Sequence, residues 1–231
     1  MSYQLTIEPL GATIDVEDGQ TILDAALRQG IYLPHACGHG LCGTCKVAVA
    51  DGEVDHGNAN LFALMDFERD EGRTLACCAT LGSDTVIEAD IDEDPDALII
   101  PVEDFQATVA RIETLTPTIK ALHLQLDHPI RFQAGQYIQV HIPGIEGTRA
   151  FSIATPPDVD GMAEAIELNV RKVPGGQGTA WLHDVLAEGQ SVTISGPYGR
   201  FFVRESARLP MLFMAGGSGL SSPRSMILDL L

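Results

Sequence analysis

His35-Ala36-Cys37-Gly38-His39-Gly40-Leu41-Cys42-Gly43-Thr44-Cys45 sets three cysteines into one short stretch, and Cys77 and Cys78 follow about thirty residues later. Four residues separate the first pair and two the second, which is the spacing of a plant-type [2Fe-2S] site. A planar two-iron cluster needs four thiolates converging from both sides. Three can come from one loop only where glycines let it curl, and Gly38, Gly40 and Gly43 stand at those points. Small residues also leave backbone N–H groups free to point at the sulfides, which tunes the reduction potential. The spacing leaves the fourth ligand open between Cys77 and Cys78. An odd total of five cysteines argues against a disulfide framework. Zinc is the sharper competitor because His35, His39 and His56 lie nearby, although structural zinc sites pair two close knuckles and one is present here. A Rieske centre needs two histidines on one iron, and Cys37-Gly38-His39 supplies half of that pattern.

Upstream of the cysteines, Leu5, Ile7, Ile14 and Val16 alternate about a turn at Gly11, the signature of a hairpin. Ile22, Ala25, Ala26 and Leu27 then recur at helical spacing up to Gly30. Downstream, strands are expected over 46–50 and 85–91, completing an α+β domain over 1–94. Of the net charge of −18, residues 1–100 carry 19 acids against 4 bases, so the acidity belongs to this domain. Such a field disfavours nucleic acid and anionic membranes and favours a partner with a basic patch. Residues 92–104 begin with Asp92, Glu93 and Asp94 and are broken by Pro95 and Pro101. The domain boundary is placed there, with a linker over 95–104.

Beyond the linker, six short alternating runs, at 106–112, 119–126, 137–142, 149–154, 165–173 and 191–195, predict an antiparallel barrel over 105–207. One helix, 179–186, carries the sole Trp181. Within a strand, Arg149-Ala150-Phe151-Ser152 offers a guanidinium for a pyrophosphate, a flat ring for an isoalloxazine and a hydroxyl within reach of a flavin nitrogen. Val173-Pro-Gly-Gly176-Gln-Gly178-Thr179 opens the Trp181 helix, and a helix start is a natural phosphate cradle. Over 208–231, Met211–Ala215 is expected as a short strand entering Gly216-Gly217-Ser218-Gly219. A helix capped by Ser222 with Pro223 in its first position should follow.

The cysteine loop, with Cys77 followed by Ser83-Asp84, resembles the ferredoxin domains of bacterial oxygenase reductases. The resemblance implies Cys37, Cys42, Cys45 and Cys77 as the metal ligands and leaves Cys78 as a spare thiol. The 149–152 and 173–179 segments, with Ser195-Gly-Pro-Tyr-Gly-Arg-Phe201, resemble the flavin motifs of the ferredoxin–NADP reductase superfamily. They imply FAD held by Arg149, Ala150, Phe151, Ser152, Val173, Gly176, Gly178 and Thr179, with Ser152 catalytic beside the flavin ring. Thr155 departs from the Asn that many relatives carry. Gly216, Gly217, Ser218 and Gly219 resemble the loop that receives the pyrophosphate of NADH. The run from Arg149 to Gly217 most closely resembles reductase components of phenol hydroxylases, whose partner is a di-iron oxygenase.

The expectation is therefore a multidomain chain: a β-grasp-like ferredoxin domain, a flavin barrel and the start of an α/β nicotinamide domain. It would pass electrons from NADH through FAD and the [2Fe-2S] cluster to that oxygenase. Roughly 120 further residues would complete a nicotinamide domain. A fragment is expected on that ground, and a non-enzymatic electron carrier is the alternative. No apolar run approaches the ~18 residues of a membrane span, and the N-terminus lacks the basic start and apolar core of a signal peptide. A cytoplasmic location with reduced cysteines follows as the expectation.

Overall fold

The computed structural model describes residues 1–91 and 94–231; Asp92 and Glu93 of the acidic stretch lie outside the described residues. The chain divides into two compact units, Met1–Asp94 and Pro95–Leu231.

In the first unit, β1 (Ser2–Glu8) and β2 (Ala12–Glu17) pair antiparallel, and their period of two puts Leu5, Ile7, Ile14 and Val16 on one buried face. The chain then enters α1 (Ile22–Arg28). Thr21 caps it, its Oγ1 accepting the Asp24 N–H at 3.3 Å, and Ile22, Leu23, Ala25, Ala26 and Leu27 are buried. The cysteine loop runs from α1 to β3 (Lys46–Asp51). After it come β4 (Val54–Asp55), α2 (Asp66–Asp70), β5 (Arg73–Leu75), β6 (Thr80–Leu81) and β7 (Thr85–Glu88). The main sheet has the order β2-β1-β7-β3-β5, with β1 and β7 parallel and the other pairs antiparallel, while β4 and β6 form a separate ribbon. A mixed sheet with α1 and the short α2 packed against its strands is the β-grasp-like arrangement expected.

The second unit is built from β8 (Glu103–Thr116), β9 (Ile119–Arg131), β10 (Tyr137–His141), β11 (Thr148–Ser152), β12 (Met162–Arg171), α3 (Gln177–Asp184) and β13 (Ser191–Tyr198). The strands form one antiparallel sheet in the order β11-β10-β13-β8-β9-β12. A bridge between Ile153 and Leu168 joins its two edges, so the sheet closes into a barrel with no open edge there. Phe105, Leu122, Leu124, Ile130, Ile138, Ile194 and Leu168 fill its interior. Glu103 and Asp104, read from sequence as the end of the linker, are the first residues of β8, because pairing with Gly196 and Ser195 of β13 extends that far.

Met211–Ala215 forms no strand, contrary to the expectation. Among the described residues it has no neighbouring strand to pair with, and Met211, Leu212 and Met214 are exposed. A tight turn at Gly217–Leu220 leads into α4 (Ser221–Asp229), which therefore starts one residue before the cap assigned to Ser222. Pro223 sits in its first turn, where a missing N–H leaves no helical bond unmade. The helix docks on the barrel through buried Met226, through Ser225 Oγ donating to Thr155 O at 2.7 Å, and through Arg224 Nη1 donating to Ala154 O at 2.6 Å. Arg224 also lies 3.3 Å from the buried Glu167 carboxylate. Leu228, Leu230 and Leu231 are exposed. No helix among the described residues is long and apolar enough to cross a membrane.

Candidate cofactor sites

The cysteine loop curls where its glycines permit: Gly38, Gly40 and Gly43 all take positive φ, from 69° to 74°. At Gly40 a side chain is excluded twice over, since a Cβ there would stand 2.6 Å from Cys78 Sγ. Inside the curl, Cys37 Sγ accepts the N–H groups of His39 at 3.3 Å and Leu41 at 3.4 Å.

Cys42 interacts with the backbone and thiol of Cys37, and Cys45 with the thiol of Cys77. Burial opposes ionisation of Cys42. The Thr44 hydroxyl, 3.2 Å away, and the Cys37 contacts outweigh it and lower the thiol to about 6. Cys45 is raised, first by its hydrogen bond with Cys77 and then by burial. Cys78 is raised chiefly by burial; its sulfur lies 3.6 Å from that of Cys77 and faces Gly40. Among the described residues no three His, Cys, Asp or Glu side chains gather tightly enough for a single metal ion. Three thiols of one glycine-curled loop, with Cys77 brought to Cys45 from outside it, instead suit two irons, each taking two thiolates. The donor set therefore fits a [2Fe-2S] cluster.

In the barrel, β11 presents Arg149, Ala150, Phe151 and Ser152, with Phe151 partly buried against the core. Arg149 leads to the second motif. A Cβ on Gly178 would fall 3.1 Å from Arg149 Cγ and 3.0 Å from Ile142 Cδ1, so the start of α3 packs closely on this arginine. Gly176 occupies the N-cap position, and Thr179 Oγ1 accepts the Val173 N–H at 3.0 Å, folding the loop over the helix start. The first-turn N–H groups of α3 have no intrahelical partner. Arg149 donates to two carbonyl oxygens, Thr148 O at 2.8 Å and Glu146 O at 3.4 Å, and no carboxylate among the described residues pairs with it. An unneutralised guanidinium beside open helical N–H groups fits a pyrophosphate. Ser152 pairs across the sheet with Tyr137, whose ring stacks on Tyr198 at 5.5 Å. That stack was invisible in the sequence, since about sixty residues separate the two rings. Thr155, the departure from relatives, accepts the Glu167 N–H at 3.3 Å through its hydroxyl.

Gly216, Gly217, Ser218 and Gly219 are not drawn into this arrangement. Gly216, Gly217 and Gly219 are exposed, with no atom within 4 Å of where a side chain would begin. The Glu167–Arg224 link that ties the following helix to the barrel was likewise missed, because neither residue belongs to a motif.

Comparison with known proteins identifies the two domain families. Residues 5–82 match the 2Fe-2S iron–sulfur cluster binding domain family, and residues 106–203 match the oxidoreductase FAD-binding domain family. Over all of its 231 residues the chain is 64% identical to the phenol hydroxylase P5 protein of Acinetobacter pittii (strain PHEA-2). It is 61% identical to the phenol 2-monooxygenase reductase component DmpP of Pseudomonas sp. (strain CF600). It spans 65% of the length of each of these two relatives. The crystal structure of the Amycolatopsis reductase GcoB superimposes with a TM-score of 0.88 at 36% identity, covering 97% of this chain and 67% of that one.

Proposed function

The chain belongs to the iron–sulfur flavoprotein reductases that include the phenol hydroxylase reductase components, and from that premise we propose that it feeds electrons from NADH to an oxygenase. The observation that carries this reading is the glycine-curled cysteine loop, in which Cys37 Sγ accepts the His39 and Leu41 N–H groups and to which Cys77 is brought beside Cys45. Bound FAD supplies the conversion of a hydride pair into single electrons, and the [2Fe-2S] cluster carries them onward. The chain's own residues have simpler tasks. Cys37, Cys42, Cys45 and Cys77 hold the irons, and Gly40 keeps the loop tight enough for them to converge. Arg149 and the α3 start, with Val173, Gly176, Gly178 and Thr179, hold the pyrophosphate. Phe151 covers the flavin ring, Ala150 keeps the strand slim beside it, and Ser152 donates its hydroxyl to the ring. Gly216, Gly217, Ser218 and Gly219 receive NADH.

The partner in this reading is a di-iron hydroxylase acting on phenol or a related aromatic, and the setting is the cytoplasm, where five unpaired cysteines persist. Identities of 61–64% to phenol hydroxylase components support that choice. A second reading is an electron carrier that does not oxidise NADH. The deciding experiment is a visible spectrum of the purified chain with iron, sulfide, zinc and flavin quantified, followed by anaerobic NADH. Two irons and one FAD per chain are expected; zinc with no visible absorbance would defeat the reading. Bleaching by NADH establishes a reductase, whereas bleaching by dithionite alone establishes the carrier.

A further inference from the structure

The cysteine loop is framed by apolar side chains that the first unit leaves uncovered. Leu41, between two of the cysteines, is 63% exposed, and Leu61 and Phe62 are 61% and 91% exposed. Met65 and Phe67 continue the exposed apolar run. The segment is pinned to the loop: Asn60 N–H donates to Gly40 O at 3.0 Å, and a Cβ on Gly43 would sit 3.3 Å from Ala63 O. Phe62 is itself held in place, its N–H donating to Asn60 Oδ1 at 2.9 Å. Large side chains carried in the open on a pinned backbone are not explained by folding, since buried Ala63 and Leu64 already anchor the segment. Asp55 precedes this segment and Asp66, Asp70 and Glu71 follow it in the chain, all exposed, in a unit of 18 acids and 4 bases.

We propose that Leu41, Leu61 and Phe62 form the docking face for the oxygenase that receives the electron, and that this partner presents an apolar socket ringed by lysine and arginine. The proposal rests on the electron-transfer reading above. The acids speed and orient the encounter, and the apolar centre holds the complex once water is expelled. One electron then leaves the reduced cluster and enters the oxygenase metal centre.

The test uses the full chain with both cofactors, reduced by dithionite and mixed in stopped flow with the phenol hydroxylase oxygenase of Acinetobacter pittii. Phe62→Ser is expected to lower the second-order rate of cluster reoxidation roughly tenfold with an unchanged salt slope. Asp66→Asn with Glu71→Gln should lower the rate at low salt and flatten its salt dependence. Ferricyanide, too small to need the face, should oxidise every variant at the parental rate. Oxygenase rates within twofold of the parent for both variants would overturn the proposal. So would a Phe62→Ser defect confined to electron flow from flavin to cluster, or one that appears instead as loss of self-association in sedimentation. If the parent carries its cluster and yet passes nothing to the oxygenase, the functional reading falls first, and the docking face falls with it.

Discussion

Cys42 and Arg149 carry charge chemistry in settings that differ in kind. Cys42 is exposed and gains its low thiol pKa from hydrogen bonds to Thr44 and Cys37. Cys42→Ser should abolish the visible cluster absorbance while leaving FAD content unchanged, because the two units have separate cores; loss of both would contradict separate sites. Arg149 is positioned by the strand that bears it and by the glycine opposite. Arg149→Ala removes a charge-assisted bond, and FAD affinity should fall by about 1.5–3 kcal/mol, roughly 10- to 150-fold. Titration of the deflavinated chain with FAD, followed by flavin fluorescence, measures this directly, and an unchanged affinity would displace the site from β11.

Helix ends and helix docking set the predictions at the level of elements. Thr21 is the N-terminal side-chain cap of α1, whose apolar face lines the core of the first unit. Thr21→Ala should destabilise that unit by about 1 kcal/mol, within a range of about 0.5–2, read from denaturant midpoints monitored by cluster absorbance. On the barrel, α4 is held by Arg224, which joins Ala154 O and the buried Glu167 carboxylate. Arg224→Ala leaves that carboxylate without its cation, and a loss of about 1–3 kcal/mol in the second unit should follow, followed by flavin release on heating. Adding Glu167→Gln should recover part of the loss, since a neutral amide tolerates the site better than an unpaired charge. The strand expected at 211–215 marks the limit of local reasoning. Its apolar run is suited to a parallel sheet, but a strand exists only with a neighbour, and none is present among the described residues.

For the whole molecule, two compact units imply two cofactor-linked unfolding transitions. Free FAD at a hundredfold excess over its Kd should raise the barrel transition by about 2.7 kcal/mol and leave the other unmoved, as differential scanning calorimetry would register. Iron chelation should lower only the first unit's transition; a single merged transition shifted by either treatment would refute independence. The sequence determined the chemistry by itself, because cofactor chemistry needs particular residues at particular short spacings: the Cys37–Cys45 loop with its glycines, the 149–152 and 173–179 segments, and the alternation that builds the barrel strands. Only the tertiary structure decided how those pieces meet. It paired Cys45 with Cys77 across about thirty residues and set Cys78 behind Gly40. It laid Gly178 against Arg149 and stacked Tyr137 on Tyr198. It also left Phe62 in the open beside the cluster loop. These are contacts between residues far apart in the chain, and no local pattern encodes them, because they depend on which surfaces remain to be buried once every element has formed.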